Sequence, residues 1–187
     1  MWLLQECRRV WAEQGKNIDF VTMVEMATQA KAPAFINPDA PEFQKPCDMP
    51  KAILDWIQKS GQTAPANDSE LIRTILESLA LKYRLMVRRL AELVPEMPST
   101  LNIVGGGGQN KLLNQMTADA TGLRVEAGPI EATAAGNVIA QMIASGDISS
   151  LSEGRELLRN SFEISAYEPG DTAVWDAKAA LFDQILG

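Results

Sequence analysis

Apolar residues near the start of the chain recur at the spacing of two short amphipathic helices. The first predicted helix covers residues 2–14 and ends at Gly15. Asp19 stands directly before a second apolar stripe, where its carboxylate can cap the first turn of a helix. The first helix begins at once, without a capping residue before it, so we expect further chain to precede it in the parent protein.

A proline-rich segment interrupts this helical pattern. Residues 35–50 contain prolines 38, 41, 46 and 50, a density that no regular helix tolerates. We therefore predict an ordered or extended loop that Phe35, Ile36 and Phe43 attach to the body of the protein. Helical spacing resumes in a short predicted helix over residues 51–59.

A long helix is predicted after this segment. Asn67 and Glu70 form a variant of the capping box, in which side chains satisfy the free N–H groups of a helix start. An apolar stripe continues to about Leu93, and Pro95 prevents a longer helix. Four cations near its end are predicted to form a solvated face, where the helix dipole favours positive charge: Lys82, Arg84, Arg88 and Arg89.

The pattern changes at Thr100 to alternating short strands and helices. LNIV at 101–104 is typical of a buried strand, and LRVEA at 123–127 is typical of a second strand. A helix over about 111–121 separates them and another over 131–145 follows. This order predicts a parallel α/β unit. The rest of the pattern predicts helices over 152–161 and 174–186, with a candidate short strand at 165–169.

Composition argues against several classes of function. The 187 residues carry 17 lysines and arginines against 24 aspartates and glutamates, a formal net charge of −7. Nucleic acids and anionic membranes attract basic surfaces, so neither is an expected partner. The absence of histidine removes histidine-based catalysis and histidine metal ligands. Cys7 and Cys47 fit two reduced thiols. No apolar run is long enough to span a membrane. From these two observations we expect a cytoplasmic protein.

Four consecutive glycines, Gly105 to Gly108, lie between the first predicted strand and its helix. Free N–H groups at such a junction, with the positive end of the helix dipole, can receive a phosphate or a nucleotide. The P-loop fingerprint is absent, since Lys111 follows Asn110 instead of a glycine, and Lys16 follows Gly15 but precedes Asn17. The Rossmann fingerprint is also absent, since its last glycine would fall on Asn110 or Lys111. The residue types alone favour two alternatives equally: a nucleotide site, or a tight turn that binds no ligand.

The segments around these glycines resemble a known family. VGGGGQNKLLNQMTADATG at 104–122 and VEAGPIEATAAGN at 125–137 are similar to the C-terminal domain of the FGGY carbohydrate kinases. Three upstream segments, at 1–11, 35–43 and 77–84, resemble the rhamnulokinase subfamily in particular. The resemblance covers essentially the whole chain, and its motifs follow the order of the family.

The resemblance implies a helix-rich α/β fold, the actin-like, ribonuclease-H-like ATPase domain, over residues 1–187. Residues 1–66 would form a helical and proline-rich lead-in, and residues 67–187 the long helix with the glycine-loop α/β core. It also implies that ATP or ADP binds at the loop, with Gly106 the best candidate for a direct backbone contact. The expected binding residues are Gly105, Gly106, Gly107, Gly108, Gln109 and Asn110.

Smaller roles follow from the same resemblance. Gln109 and Asn110 would start the helix and hydrogen-bond the ribose or adenine side of the nucleotide. The segment that contains Glu131 and Asn137 would pack under the loop, which gives these two residues a structural role. The 35–43 loop would pack on the domain, with no catalytic role for its carboxylates.

The resemblance also defines what the chain lacks. In the family an N-terminal domain carries the catalytic aspartate, most of the sugar site and most contacts to Mg²⁺, and nothing here matches that domain. No catalytic or metal-binding residue is therefore expected in this chain. The parent protein is expected to use ATP to phosphorylate a ketose, L-rhamnulose at O1, and this chain alone is expected to be inactive.

Three alternatives stay open at this point. The chain can be a non-catalytic nucleotide-binding module derived from the kinase fold. It can instead associate with itself through a face that another domain would cover. Because sugar specificity lies mostly in the N-terminal domain, the fuculose, xylulose and glycerol kinases are alternative relatives.

Overall fold

The computed structural model describes residues 1–186, which contain eight α-helices and three short strands. The helices are α1 (Trp2–Glu13), α2 (Phe20–Gln29), α3 (Met49–Lys59), α4 (Asp68–Ala91), α5 (Lys111–Thr121), α6 (Ala132–Ser145), α7 (Leu151–Ser161) and α8 (Ala173–Leu186). The strands are β1 (Thr100–Ile103), β2 (Arg124–Ala127) and β3 (Ser165–Tyr167). Within the described residues, no helix combines the length and apolarity that a membrane crossing requires.

The central element is α4, against which α2, α5 and α8 pack. Every residue from Thr74 to Leu81 is buried, as expected for a helix with neighbours on all sides. Its start has the predicted cap, because Asn67 Oδ1 accepts a hydrogen bond of 3.0 Å from the Glu70 N–H. Glu70 in turn accepts from the Ala66 N–H at 2.8 Å. The helix ends at Ala91, two residues before the predicted end.

Two of the four cations near the end of α4 are not solvated, which corrects the sequence prediction. The Lys82 side chain is 17% exposed and its Nζ lies 2.7 Å from Asp39. The Arg84 side chain is 12% exposed and donates to the Ala120 carbonyl at 2.9 Å and to Asp176. These side chains join α4 to the proline-rich loop, α5 and α8, whereas Arg88 and Arg89 are exposed as predicted.

The proline-rich segment is an ordered loop, as predicted, with one short 3-10 turn at Pro41–Phe43. Phe35, Ile36 and Phe43 are all buried and attach it to the core. The helix after it begins at Met49, two residues earlier than predicted. Asp48 caps it and a proline in its first turn removes no helical hydrogen bond.

The three strands form one sheet in the order β1-β2-β3. β1 pairs with β2 in parallel, with Leu101 opposite Val125, which confirms the predicted parallel α/β unit. β3 pairs antiparallel to β2. The strand predicted at residues 101–104 is present as β1, but the prediction that it is buried was wrong. β1 lies at the edge of the sheet and Val104 is 55% exposed, whereas Val125 in the middle strand is fully buried.

Candidate functional site

The glycine loop connects the end of β1 to the start of α5 by one 3-10 turn, Gly106–Gln109. The Gly105 N–H donates to the Pro129 carbonyl at 3.1 Å, and the Gly128 N–H donates to the Ile103 carbonyl at 2.9 Å. The segment after β2 therefore lies directly beside the loop, as predicted.

The structural role predicted for Glu131 and Asn137 finds no support, because both side chains are exposed. Glu131 immediately precedes α6 but makes no side-chain cap. The contact between this segment and the loop is made by backbone atoms instead.

The physical reason for glycine differs from one loop position to the next. Gly105 has a φ of +79°, which L side chains rarely adopt. A Cβ at Gly108 would lie 3.2 Å from the Ile103 carbonyl oxygen, a tight approach that favours glycine there. A Cβ at Gly106 would meet no atom of the described residues within 4 Å, apart from its chain neighbours. The fold itself therefore does not require glycine at position 106.

A cleft of about 820 Å³ opens in front of this glycine. Gly106, Gly107 and Gln109 line its loop side, together with Asn110 and Lys111 at the start of α5. Of the six predicted binding residues, four thus border the cleft. Gly105 and Gly108 are not among the lining residues, so the four glycines do not all face the same space.

The opposite wall of the cleft belongs to α2 and was not predicted from the sequence. Phe20, Val21 and Val24 provide an apolar surface, and Glu25 provides one carboxylate. The residue types carried no signal for this wall, since the exposure of Phe20 (37%) and Val21 (68%) is visible only in the structure.

Arg8 supports this wall from behind. Its guanidinium carbon lies 5.0 Å from the centroid of the Phe20 ring, within the range of a cation–π contact. Its Nε donates to the Ile18 carbonyl at 3.0 Å, which fixes the side chain beside the start of α2. Phe20 also lines a second cleft, of about 490 Å³, on that far side.

Polar groups at the loop side favour an anion. Asn110 caps α5, because its Oδ1 accepts a hydrogen bond of 2.9 Å from the Leu113 N–H. This bond uses one lone pair of the amide oxygen, so the NH₂ group is the better candidate for the predicted contact with a nucleotide. Lys111 is exposed at the first position of the helix. The positive end of the helix dipole and this ammonium group lie together at the cleft.

The cleft residues do not fit a magnesium ion held by the protein alone. Mg²⁺ in kinases is held by one or two carboxylates together with substrate phosphates. The cleft lining contains a single carboxylate, Glu25, on the wall opposite the glycines. The described part of the chain contains no group of three candidate ligands from histidine, cysteine, aspartate and glutamate.

Comparison with known sequences identifies relatives of this chain. Residues 1–145 match the C-terminal domain of the FGGY family of carbohydrate kinases. The rhamnulokinase of Bacteroides thetaiotaomicron is 40% identical over 181 residues, which are 95% of this chain and 36% of that protein. The rhamnulokinase of Pectobacterium atrosepticum is 41% identical over 172 residues, 90% of this chain and 34% of the relative. The chain thus spans about a third of the length of these relatives.

Solved structures share the fold. Plasmodium falciparum glycerol kinase, solved with ADP, superposes with a TM-score of 0.67 at 18% identity, over 97% of this chain and 36% of that one. The xylulose kinase from Rhodospirillum rubrum gives 0.65 at 16% identity, over 98% of this chain and 36% of that one. These neighbours confirm the expected actin-like, ribonuclease-H-like ATPase fold. With the match over residues 1–145, they establish that the chain belongs to the FGGY family of carbohydrate kinases, in which it corresponds to the C-terminal domain.

Proposed function

We propose that this chain is the nucleotide-binding part of a kinase that transfers the γ-phosphate of ATP to O1 of L-rhamnulose. The choice of sugar is supported by the relatives, since rhamnulokinases from several bacteria are 35–41% identical to this chain. The choice of nucleotide is supported by the shared fold with a glycerol kinase solved with ADP.

The observation that carries the proposal is the free space at Gly106. This residue lines the cleft, and the fold would accommodate a side chain at its position. The remaining physical reason for glycine is the close approach of a ligand to the backbone. In this proposal, the backbone N–H groups of the loop, the start of α5 and Lys111 bind the phosphates.

The base of the nucleotide lies against α2. A purine is flat and apolar on its faces, which suits Phe20 and Val24, and Arg8 holds the Phe20 ring in place from the other side. The chain's residues thereby bind and orient ATP, and positioning of the reactants is a main contribution to catalysis in phosphoryl transfer. Mg²⁺ would neutralise phosphate charge there, but its protein ligands are expected in the N-terminal domain.

The chain by itself is proposed to be inactive. Transfer requires a base at the sugar hydroxyl, in line with the γ-phosphate. Glu25 is the single carboxylate of the cleft and lies on the wall assigned to the base of the nucleotide. The family resemblance assigns the catalytic aspartate to the N-terminal domain.

Calorimetry with ADP tests the binding half of this proposal. We expect saturable binding by the 187-residue chain and a loss of more than about tenfold in affinity for Gly106→Val, because the valine side chain would occupy the cleft. The control is Gly136→Ala, at another glycine whose Cβ would meet nothing within 4 Å, on α6 and outside the lining of the cleft. Equal affinity in wild type and Gly106→Val would reject the site.

A coupled assay with ATP, Mg²⁺ and L-rhamnulose tests the catalytic half. The isolated chain should give no turnover, whereas a protein that joins it to the N-terminal domain of a rhamnulokinase relative should phosphorylate the sugar. Full turnover by the isolated chain would contradict the proposal.

Self-association is a second candidate property. It is favoured by exposed apolar side chains on α6, on α7 and at Phe162, the residue directly after α7. Val138, Leu151 and Phe162 are 54%, 54% and 40% exposed. Exposed apolar surface of this kind tends to be buried by association. Sedimentation should show a dimer or larger species at high concentration, and a monomer throughout would remove this candidate.

A further inference from the structure

Asn114 holds the glycine loop from the inner side. Its side chain is fully buried, one turn into α5, and its Nδ2 donates a hydrogen bond of 2.7 Å to the Gly108 carbonyl. The Gly108 N–H donates to the Gly105 carbonyl at 3.0 Å, within the same turn. The loop is thus fixed to α5 through a side chain as well as through the backbone.

This hydrogen bond holds the Gly108 carbonyl away from the cleft. Gly106 and Gly107 line it, whereas Gly108 does not. Because the buried side-chain amide of Asn114 donates a hydrogen bond to the Gly108 carbonyl oxygen, that oxygen lies on the protein side of the loop. An anion in the cleft then meets loop N–H groups without competition from the dipole of the Gly108 carbonyl.

Asn114 is not the residue that stability alone would favour. Its Oδ1 is buried and has no hydrogen-bond partner among residues 1–186. A buried acceptor without a partner is destabilising. Reversing the amide would place Oδ1 against the Gly108 carbonyl oxygen, which is repulsive, so the unpaired oxygen is a consequence of the bond to the loop. Leucine has the same branching and would avoid this loss.

We propose that Asn114 is a positioning residue for nucleotide binding, which keeps the glycine loop ordered in the shape that presents its N–H groups to the phosphates. The inference rests on the proposed function, since it assigns a role at the same cleft. Its physical basis is preorganisation: a loop already held in the binding shape loses less conformational freedom when the nucleotide binds.

The test compares Asn114→Leu with a matched control in the same helix. Thr117 is also fully buried in α5, but its hydroxyl donates to the Leu113 carbonyl at 2.7 Å and not to the loop. We expect Asn114→Leu to weaken ADP binding about tenfold and Thr117→Val to change it less than about twofold. Amide hydrogen exchange of residues 106–109 should accelerate in the first variant alone. Asn114→Ala, which removes the bond without adding bulk, should reproduce both effects if the leucine impairs folding.

The outcomes separate the inference from the function on which it rests. Equal ADP affinity in wild type and both Asn114 variants would overturn the inference and leave the site in place. Absence of ADP binding by the wild type would overturn the proposed function and the inference with it. Equal losses in Asn114→Leu and Thr117→Val, without faster exchange in the loop, would show a general effect of α5 and also overturn the inference.

Discussion

The helical body and the helical hairpin differ sharply in how they bury apolar surface. We define the body as α1 to α5 with α8, and the hairpin as α6 with α7. Each body helix contributes residues to one apolar core, and among the described residues the hairpin contributes none to it. In the hairpin, Ala135, Ile139 and Gly154 are the residues of the two helices that are buried.

This difference indicates where the protein can hold a precise site. Regions with few buried contacts open locally at low free energy, whereas core helices open only with the whole domain. The glycine loop is attached to α5, which shares the core of the body. The proposed nucleotide site should therefore be insensitive to changes in the hairpin and sensitive to changes in the body.

The largest expected effect comes from the same truncation made in each region. Ile75 in α4 is 0% exposed and Ile139 in α6 is 3% exposed. Ile75→Ala should lower the free energy of unfolding by about 4 kcal/mol, because a rigid core cannot close the cavity. Ile139→Ala should cost about 2 kcal/mol or less, because its surroundings can relax. Urea unfolding followed by circular dichroism measures both values, and equal losses would contradict the distinction between the regions.

A smaller effect is expected from adding one methyl group between the two hairpin helices. A Cβ at Gly154 would lie 2.4 Å from Cγ2 of Ile139, so Gly154→Ala should separate α6 from α7 and cost about 1–2 kcal/mol. Hydrogen exchange should accelerate in the hairpin, while ADP affinity stays unchanged. The control Gly136→Ala, in open space on α6, should stabilise the helix by up to about 1 kcal/mol. A loss of ADP affinity in Gly154→Ala would show that the hairpin supports the site.

The smallest effect concerns the pH dependence of the body. Burial, reinforced by nearby carboxylates, raises the pKa of the Cys7 thiol above its ordinary value of 9.0. The folded state keeps the proton that the unfolded state releases, so stability falls as pH rises above about 9. We expect a loss of about 1 kcal/mol between pH 8 and pH 10, measured by urea unfolding. Cys7→Ala should show a flatter dependence, and an identical slope in the variant would rule out this cause.

The sequence predicted the local features of the fold well. Caps depend on side chains and N–H groups three residues apart, and both predicted caps are present: Asp19 accepts from Thr22 at 2.8 Å and Asn67 from Glu70 at 3.0 Å. The parallel pairing of β1 with β2 followed from the alternation of strand and helix.

Features that depend on distant partners could not be predicted. Arg84 pairs with Asp176, 92 positions further along the chain, so its charge pattern alone suggested a solvated side chain. The burial of β1 depends on what lies beside it in the sheet, which its own apolar residues do not reveal.

The site shows the same division. The glycine run identified one wall of the cleft because its residues are consecutive. The opposite wall, on α2, lies more than 80 positions away from Gly106 in the sequence and meets it only in the fold. Which glycines face the cleft depends on packing against Ile103 and on Asn114, and neither contact has a signal in the residue types.

An ADP titration of the isotope-labelled chain, followed by amide chemical shifts, tests the central claim most directly. The account predicts saturable shifts at both walls of the cleft, at Gly106, Gly107 and Gln109 on the loop and at Phe20 and Val21 on α2, with α6 and α7 unaffected. Shifts confined to the hairpin, or no shifts at saturating ADP, would contradict the assignment of this cleft as the nucleotide site.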